Sequence, residues 1–211
     1  MFTNSRLNIC IQFHKSADII IDGIKSKLLN NYIKKLWEDI DVLVFLSKRL
    51  LGLHEEYYGK APNAVIIPNA LEKNWLNVEV LPLEDRTRDI VFFGRWSWEK
   101  GVNDLVAAMN ELKSNGNCEL YTDAPAQVSY NRCIFFQWVS EDQVREIIRS
   151  AKLLVLPSYS EAYPTVLLEA AACGTPFVAT NIAGIPDIVH DSHAGLLVQP
   201  GPPSSARAGP C

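Results

Sequence analysis

Several features that would assign a chain quickly are missing from this one. No apolar run approaches the roughly 18 residues that cross a bilayer, and the N-terminus, with Arg6, His14 and Lys15 interleaved, has no signal-peptide core. Cysteine is sparse and odd in number, five residues (Cys10, Cys118, Cys133, Cys173, Cys211) with no CxxC, which excludes a disulfide framework and a zinc ribbon and fits a reducing cytoplasm. Charge of one sign is not in excess: 20 Lys and Arg face 24 Asp and Glu, a net charge of −4, so a nucleic-acid partner held by phosphate neutralisation is not expected. There is no internal repeat, no Gly-Lys-Ser/Thr phosphate loop and no GxGxxG. What remains is a globular composition, 48% hydrophobic and 21% charged over 211 residues, enough for one large domain or one domain with part of another.

The pattern along the chain is strand and helix in turn. Residues 24–37 carry Ile24, Leu28 and Leu36 at helical spacing with lysines between them, then 42–46 read as a strand. Ser47 caps a helix running to about Tyr58, and 64–67 form a short strand closed by Pro68 and Asn69. Residues 70–88 lack a period and read as a linker. From there the spacing predicts strands at 89–93, 118–121, 133–136, 152–156 and 176–180, and helices at 102–113, 141–150 and 164–172. Ser140 with Gln143 forms a capping box, and Pro164 with Gly174 brackets the last of these helices. This alternation predicts an α/β fold with a doubly wound, Rossmann-like parallel sheet, which binds ligands at the carboxyl ends of its strands.

Two strand-to-helix loops hold the residues suited to such a ligand. Gly94-Arg95-Trp96-Ser97-Trp98-Glu99-Lys100-Gly101 brings two cations to a helix N-terminus, whose free N–H groups favour phosphate. In the segment from Pro157 to Glu169, Glu161 and Glu169 bracket a second helix start, with the amides of Thr165, Val166 and Leu167 between them. Carboxylates accept from polyol hydroxyls, so an anion at those amides flanked by two acceptors outlines a nucleoside diphosphate sugar. Either loop alone reads equally well as ordinary charged surface; the two together carry the inference.

These residues resemble the GT-B glycosyltransferases of the large retaining group often called family 4. GRWSWEKG is similar to that family's GR…KG phosphate loop, Glu161 to Glu169 to its E-x7-E, Gly184-Ile185-Pro186 and Gly195-Leu196-Leu197-Val198 to its following segments, and Ile67-Pro68-Asn69 to its exit from the N-terminal domain. The resemblance covers most of residues 40–201. It implies a hexosyltransferase-type enzyme acting with retention, serving polysaccharide or glycoconjugate synthesis, with Gly94, Arg95 and Lys100 at the diphosphate, the amides of Thr165 and Val166 at phosphate, Glu161 on the donor sugar and Glu169 on the ribose. Arg95, Lys100 and Glu161 would act in the reaction itself. It also implies no metal cofactor and a glycan, lipid or small-molecule acceptor. Residues 1–72 would then be a remnant of the N-terminal (acceptor) domain, 73–88 a linker, 89–201 the donor-binding domain and 202–211 an irregular tail. The early strands and the acceptor loop of the family are not matched, and PPSSARAGPC at 202–211 stands where the family continues in helix. A truncated or frameshifted chain that binds donor without turnover, and self-associates through apolar surface at 176–198, is therefore expected; the alternative is a non-catalytic nucleotide-sugar binding module.

Other constellations are weaker. Asp39-Ile40-Asp41 is a DxD, but it precedes a strand instead of following one and reads as a turn. His190, Asp191 and His193 near Asp187 read as surface loop before a metal site. Cys118 and Cys133 read as buried small hydrophobes, Trp96 and Trp98 as packing against the linker or stacking on a sugar or base, and the basic helix at 24–37 as a solvated face, with contact to anionic lipid at the inner membrane face as the lesser reading.

Overall fold

The computed structural model describes residues 10–12, 40–112, 116–123 and 132–201. Two parallel sheets organise them. The smaller one holds β1 (Cys10–Gln12), β2 (Val42–Phe45) and β3 (Ala64–Ile66), in the order β1-β2-β3. Between β2 and β3 runs α1 (Lys48–Tyr58), whose N-cap Ser47 accepts the Leu50 N–H on its hydroxyl, as the sequence predicts. β1 has no counterpart in the sequence pattern; three residues are too few to show a period. The basic helix expected at 24–37 and Asp39 lie outside the described residues, while Asp41 does precede β2.

The larger sheet is built from β4 (Arg88–Phe93), β5 (Cys118–Tyr121), β6 (Cys133–Phe136), β7 (Ala151–Leu156), β8 (Phe177–Thr180) and β9 (Gly195–Val198). Its order is β6-β5-β4-β7-β8-β9 with every pair parallel, the order of doubly wound folds, in which the direction of winding reverses between the first and fourth strands. Here that switch point lies between β4 and β7. The connecting helices are α2 (Val102–Glu111), α3 (Glu141–Arg149), α4 (Thr165–Ala172) and α5 (Ile185–Ser192). The central strands β4 and β7 place Val91, Phe92, Leu154 and Leu156 in the core, where Ile148 of α3 and Leu167 of α4 meet them; these near-continuous apolar runs suit strands buried on both faces.

The helix ends follow from the sequence. Ser140 and Gln143 form the expected capping box on α3. α4 closes on Gly174 at φ +62°, with the Gly174 N–H donating to Ala171 and the Thr175 N–H to Ala170, the paired bonds of a Schellman motif. Pro164 occupies the N-cap and not the first turn. Of the run 187–193, expected as loop, residues 187–192 are helix and His193 is the left-handed C-cap: Gly184 caps the N-terminus, Pro186 opens it and Ile185 and Ile188 bury it, so only two buried apolar anchors mark these eight residues. β9 is also absent from the sequence pattern, because three of its four residues are exposed and its apolar character is not reinforced by alternation.

The expected linker, 70–88, contains two single-turn 3-10 helices (Lys73–Trp75 and Leu83–Asp85) and donates its last residue to β4. It is anchored by Arg86, which is 5% exposed and gives its guanidinium donors to the carbonyls of Leu81, Ala151 and Gly174 and to Thr175 Oγ1. No carboxylate is among those partners; the cation is held by carbonyl dipoles, including one just past the C-terminus of α4. Trp75 is buried instead of Trp96 or Trp98, with the Arg145 guanidinium over its ring.

Candidate functional site

The two loops singled out in the sequence leave adjacent strand ends at the switch point, the place where parallel sheets of this order bind ligands. The loop after β4 turns through a single 3-10 turn (Trp98–Lys100) before Gly101 starts α2. Gly101 has φ +65°, and a Cβ there would stand 2.1 Å from the Pro157 carbonyl oxygen at the end of β7. Only glycine allows that approach. Gly94, at the start of the loop, is likewise covered by the Phe92 ring, 2.8 Å from where a Cβ would be.

The loops are bonded to each other as well as adjacent. The Glu99 carbonyl accepts the N–H groups of Tyr159 (2.7 Å) and Ser160 (3.3 Å), and the Tyr159 hydroxyl donates to Asp104 on α2. Lys100 Nζ donates to Glu161 Oε1 at 2.6 Å, and Ser158 Oγ donates to the same oxygen at 2.8 Å. Ser158 is fully buried, and its own carbonyl accepts the Thr180 hydroxyl at 2.5 Å, so β8 also supports the position of Glu161. The structure thus brings Lys100 and Glu161 into contact. Arg95 stands apart, two-thirds exposed in its side chain, with Glu99 at 3.8 Å, a loose surface pair.

On the other loop, the N–H groups of Thr165 and Val166 open α4, whereas the Leu167 N–H, expected to be free, is given to the Pro164 carbonyl at 3.3 Å. The Pro164 turn takes that third donor and leaves two. Glu169 lies one turn beyond. Burial pushes its carboxyl above the usual carboxylate range and the Glu141 charge adds to this, against a hydrogen bond from the Thr165 side chain. Ala162 is buried and does not adopt a positive φ.

Several participants carry no signal that the sequence reading used. Asp123, after β5, accepts the Trp96 N–H at 2.5 Å, which lowers its pKa and ties a third strand end to the phosphate-loop candidate. Trp96 packs edge-on against Phe135 of β6, and exposed Trp98 leans toward Tyr159. Ser158 was legible: Ser-x-x-Glu is the spacing of a side chain that reaches three residues along. From the smaller sheet, Asn69 donates to the Tyr163 carbonyl at 2.8 Å, the Lys48 N–H to Asp187 at 3.1 Å and Arg49 to Asn181 at 3.1 Å. Beside these contacts lies a cavity of about 310 Å³, bounded by Leu46, Ser47, Ile66, Tyr163, Asp187 and His190; Arg95, Lys100, Glu161 and Glu169 do not line it.

The profile of the glycosyl transferases group 1 family matches residues 87–208, more than half of the chain and all of the larger sheet. The chain belongs to that family. A glycosyltransferase of Methanocaldococcus jannaschii is 30% identical over 202 residues, spanning 90% of this chain and 56% of the relative. An alpha-maltose-1-phosphate synthase of Mycolicibacterium smegmatis is 37% identical over 132 residues, 54% of this chain and 34% of the relative. Among solved structures, sucrose-phosphate synthase of Thermosynechococcus elongatus superposes with a TM-score of 0.76 at 23% identity, covering 96% of this chain and 57% of that one. Anabaena HepE, solved with UDP, gives 0.73 at 18% identity, covering 92% and 59%. These are GT-B glycosyltransferase structures, and the family member described here shares their α/β architecture with its parallel six-stranded sheet. The chain spans between about a third and three-fifths of the lengths of these relatives.

Proposed function

We propose that this chain carries the donor site of a retaining hexosyltransferase that moves a sugar from a nucleoside diphosphate to a hydroxyl of a glycan, lipid or small-molecule acceptor, in polysaccharide or glycoconjugate synthesis. The observation that carries the reading is the stitching of the two switch-point loops, which brings Lys100 against Glu161, with the Thr165 and Val166 amides and Glu169 following on the same loop and helix. HepE has been solved with UDP and with UDP-glucose, and TarM with UDP and a glycosylated glycerol, which supports a nucleotide-sugar donor and a glycan partner.

In this reading Arg95 and Lys100 hold the diphosphate, helped by the two amides that open α4, and Gly94 lets it approach the backbone. Breaking the glycosidic bond leaves an oxocarbenium-like sugar and puts negative charge on the diphosphate, so cations that reach it favour the transition state over the bound substrate. Two cations and a helix terminus supply that stabilisation without a metal. Glu161 orients the sugar through its hydroxyls, and Glu169 accepts from the ribose. Residues 1–72 belong to an acceptor-side domain, 73–88 to a linker and 89–201 to the donor domain.

The experiment is to incubate the chain with UDP-, GDP- and ADP-hexoses and a broad acceptor mixture, follow nucleoside diphosphate release and read the anomeric configuration of any product by proton NMR. Transfer with the donor's configuration supports the enzyme. Donor binding without release supports the donor site but not transfer by this chain alone, absence of donor binding overturns the reading, and an inverted product overturns the retaining assignment.

A further inference from the structure

The proposed function asks Lys100 to bind diphosphate and Glu161 to bind sugar hydroxyls, yet the two side chains are bonded to each other, and both are sheltered, 21% and 9% exposed. Ser158 fixes the geometry from below: its buried hydroxyl donates to the same Glu161 oxygen that Lys100 holds, and its carbonyl is tied to Thr180. Glu161 is therefore a positioned carboxylate whose first partner is a cation of the site. A diphosphate approaching Lys100 meets an ammonium whose charge is already matched. Two anions then compete for one cation, and drawing Lys100 away leaves a sheltered carboxylate with one donor fewer, which is unfavourable for a charged group removed from water.

We propose that the Lys100–Glu161 pair sets the preference of the site for nucleotide sugar over nucleoside diphosphate: Glu161 competes with the diphosphate for Lys100 unless a sugar hydroxyl donates to that carboxylate. This rests on the donor-site reading above. A nucleotide sugar brings the replacement donor with it, whereas the nucleoside diphosphate left after transfer does not. The pair thus weakens product binding selectively, and Glu161 acts on specificity and product release as well as on sugar orientation.

The test is calorimetric titration of UDP, GDP and ADP into the whole chain, with thermal melts confirming that each variant is folded. Glu161→Gln keeps the shape and the Ser158 hydrogen bond but removes the competing charge, and it binds the preferred diphosphate about fivefold more tightly, the factor a partly exposed ion pair is worth. Glu161→Asp keeps the charge but withdraws it by one methylene, and it shifts affinity in the same direction by less. In a Lys100→Gln background, Glu161→Gln gives no gain, because there is no ammonium left to release. A gain that survives loss of Lys100 is simple charge repulsion and overturns the pairing, as does an unchanged or weaker affinity for Glu161→Gln when the wild-type chain binds. If the wild-type chain binds none of the three diphosphates, the donor-site reading falls, and the pairing with it.

Discussion

Replacing Gly101 with alanine tests whether the two switch-point loops are built as one unit. The residue sits at φ +65°, a conformation that costs an L-residue roughly 1–2 kcal/mol. The added methyl would stand 2.1 Å from the Pro157 carbonyl oxygen, and because that neighbour is backbone at the end of a central strand, it cannot rotate away. Relieving the contact requires β7 or the Gly94–Gly101 loop to move, an overpacking cost of about 1–3 kcal/mol. The sum, about 2–5 kcal/mol, is a large share of the roughly 5–15 kcal/mol that holds a domain folded. Gly52 is the control: it lies inside α1, and a Cβ added there would meet nothing within 4 Å, so alanine stabilises by about 0.5–1 kcal/mol. Urea unfolding followed by tryptophan fluorescence reads both. With a slope near 2 kcal/mol/M, Gly101→Ala lowers the midpoint by about 1–2.5 M while Gly52→Ala raises it slightly. Equal stability of Gly101→Ala and the wild-type chain, or equal losses at both glycines, would refute the packing argument.

Arg86→Met leaves the carbonyls of Leu81, Ala151 and Gly174 without their shared donor and destabilises the chain by about 3 kcal/mol in the same assay. Ser140→Ala removes the N-cap of α3 and costs about 1 kcal/mol. Glu169 has its pKa raised by burial, so the folded chain binds its proton more tightly than the unfolded one, and its contribution to stability falls as pH rises through that raised pKa. Unfolding curves of Glu169→Gln and the wild-type chain should therefore converge at acid pH and separate toward neutrality with the variant more stable; a constant difference contradicts the burial argument.

Much of the larger sheet was legible because its central strands carry near-continuous apolar runs and its helices carry local signals. The strands expected at 89–93 and 152–156 each lie within one residue of their bounds in the structure, and the Ser140 box and Gly174 cap state their helix ends in single residues. What sequence did not show was whatever depends on partners far along the chain. Lys100 and Glu161 are 61 positions apart, and nothing local says that a candidate phosphate ligand and a candidate sugar ligand meet. Asp123 has the look of an ordinary turn residue until β5 brings it to the Trp96 amide. α5 escapes a sequence reading because Gly184, Pro186, Asp187, His190 and Asp191 have the composition of a loop, and the helix depends on burial of Ile185 and Ile188.

The central claim is that Arg95 and Lys100 recognise a diphosphate at the junction of these two loops. Titrating Arg95→Ala and Lys100→Ala separately with a nucleoside and with its diphosphate tests it most directly. The account predicts that each variant loses about 1.5–3 kcal/mol toward the diphosphate, the range for hydrogen bonds to charged groups, and nothing toward the nucleoside. Equal losses for both ligands, or diphosphate affinity unchanged in both variants, would contradict it.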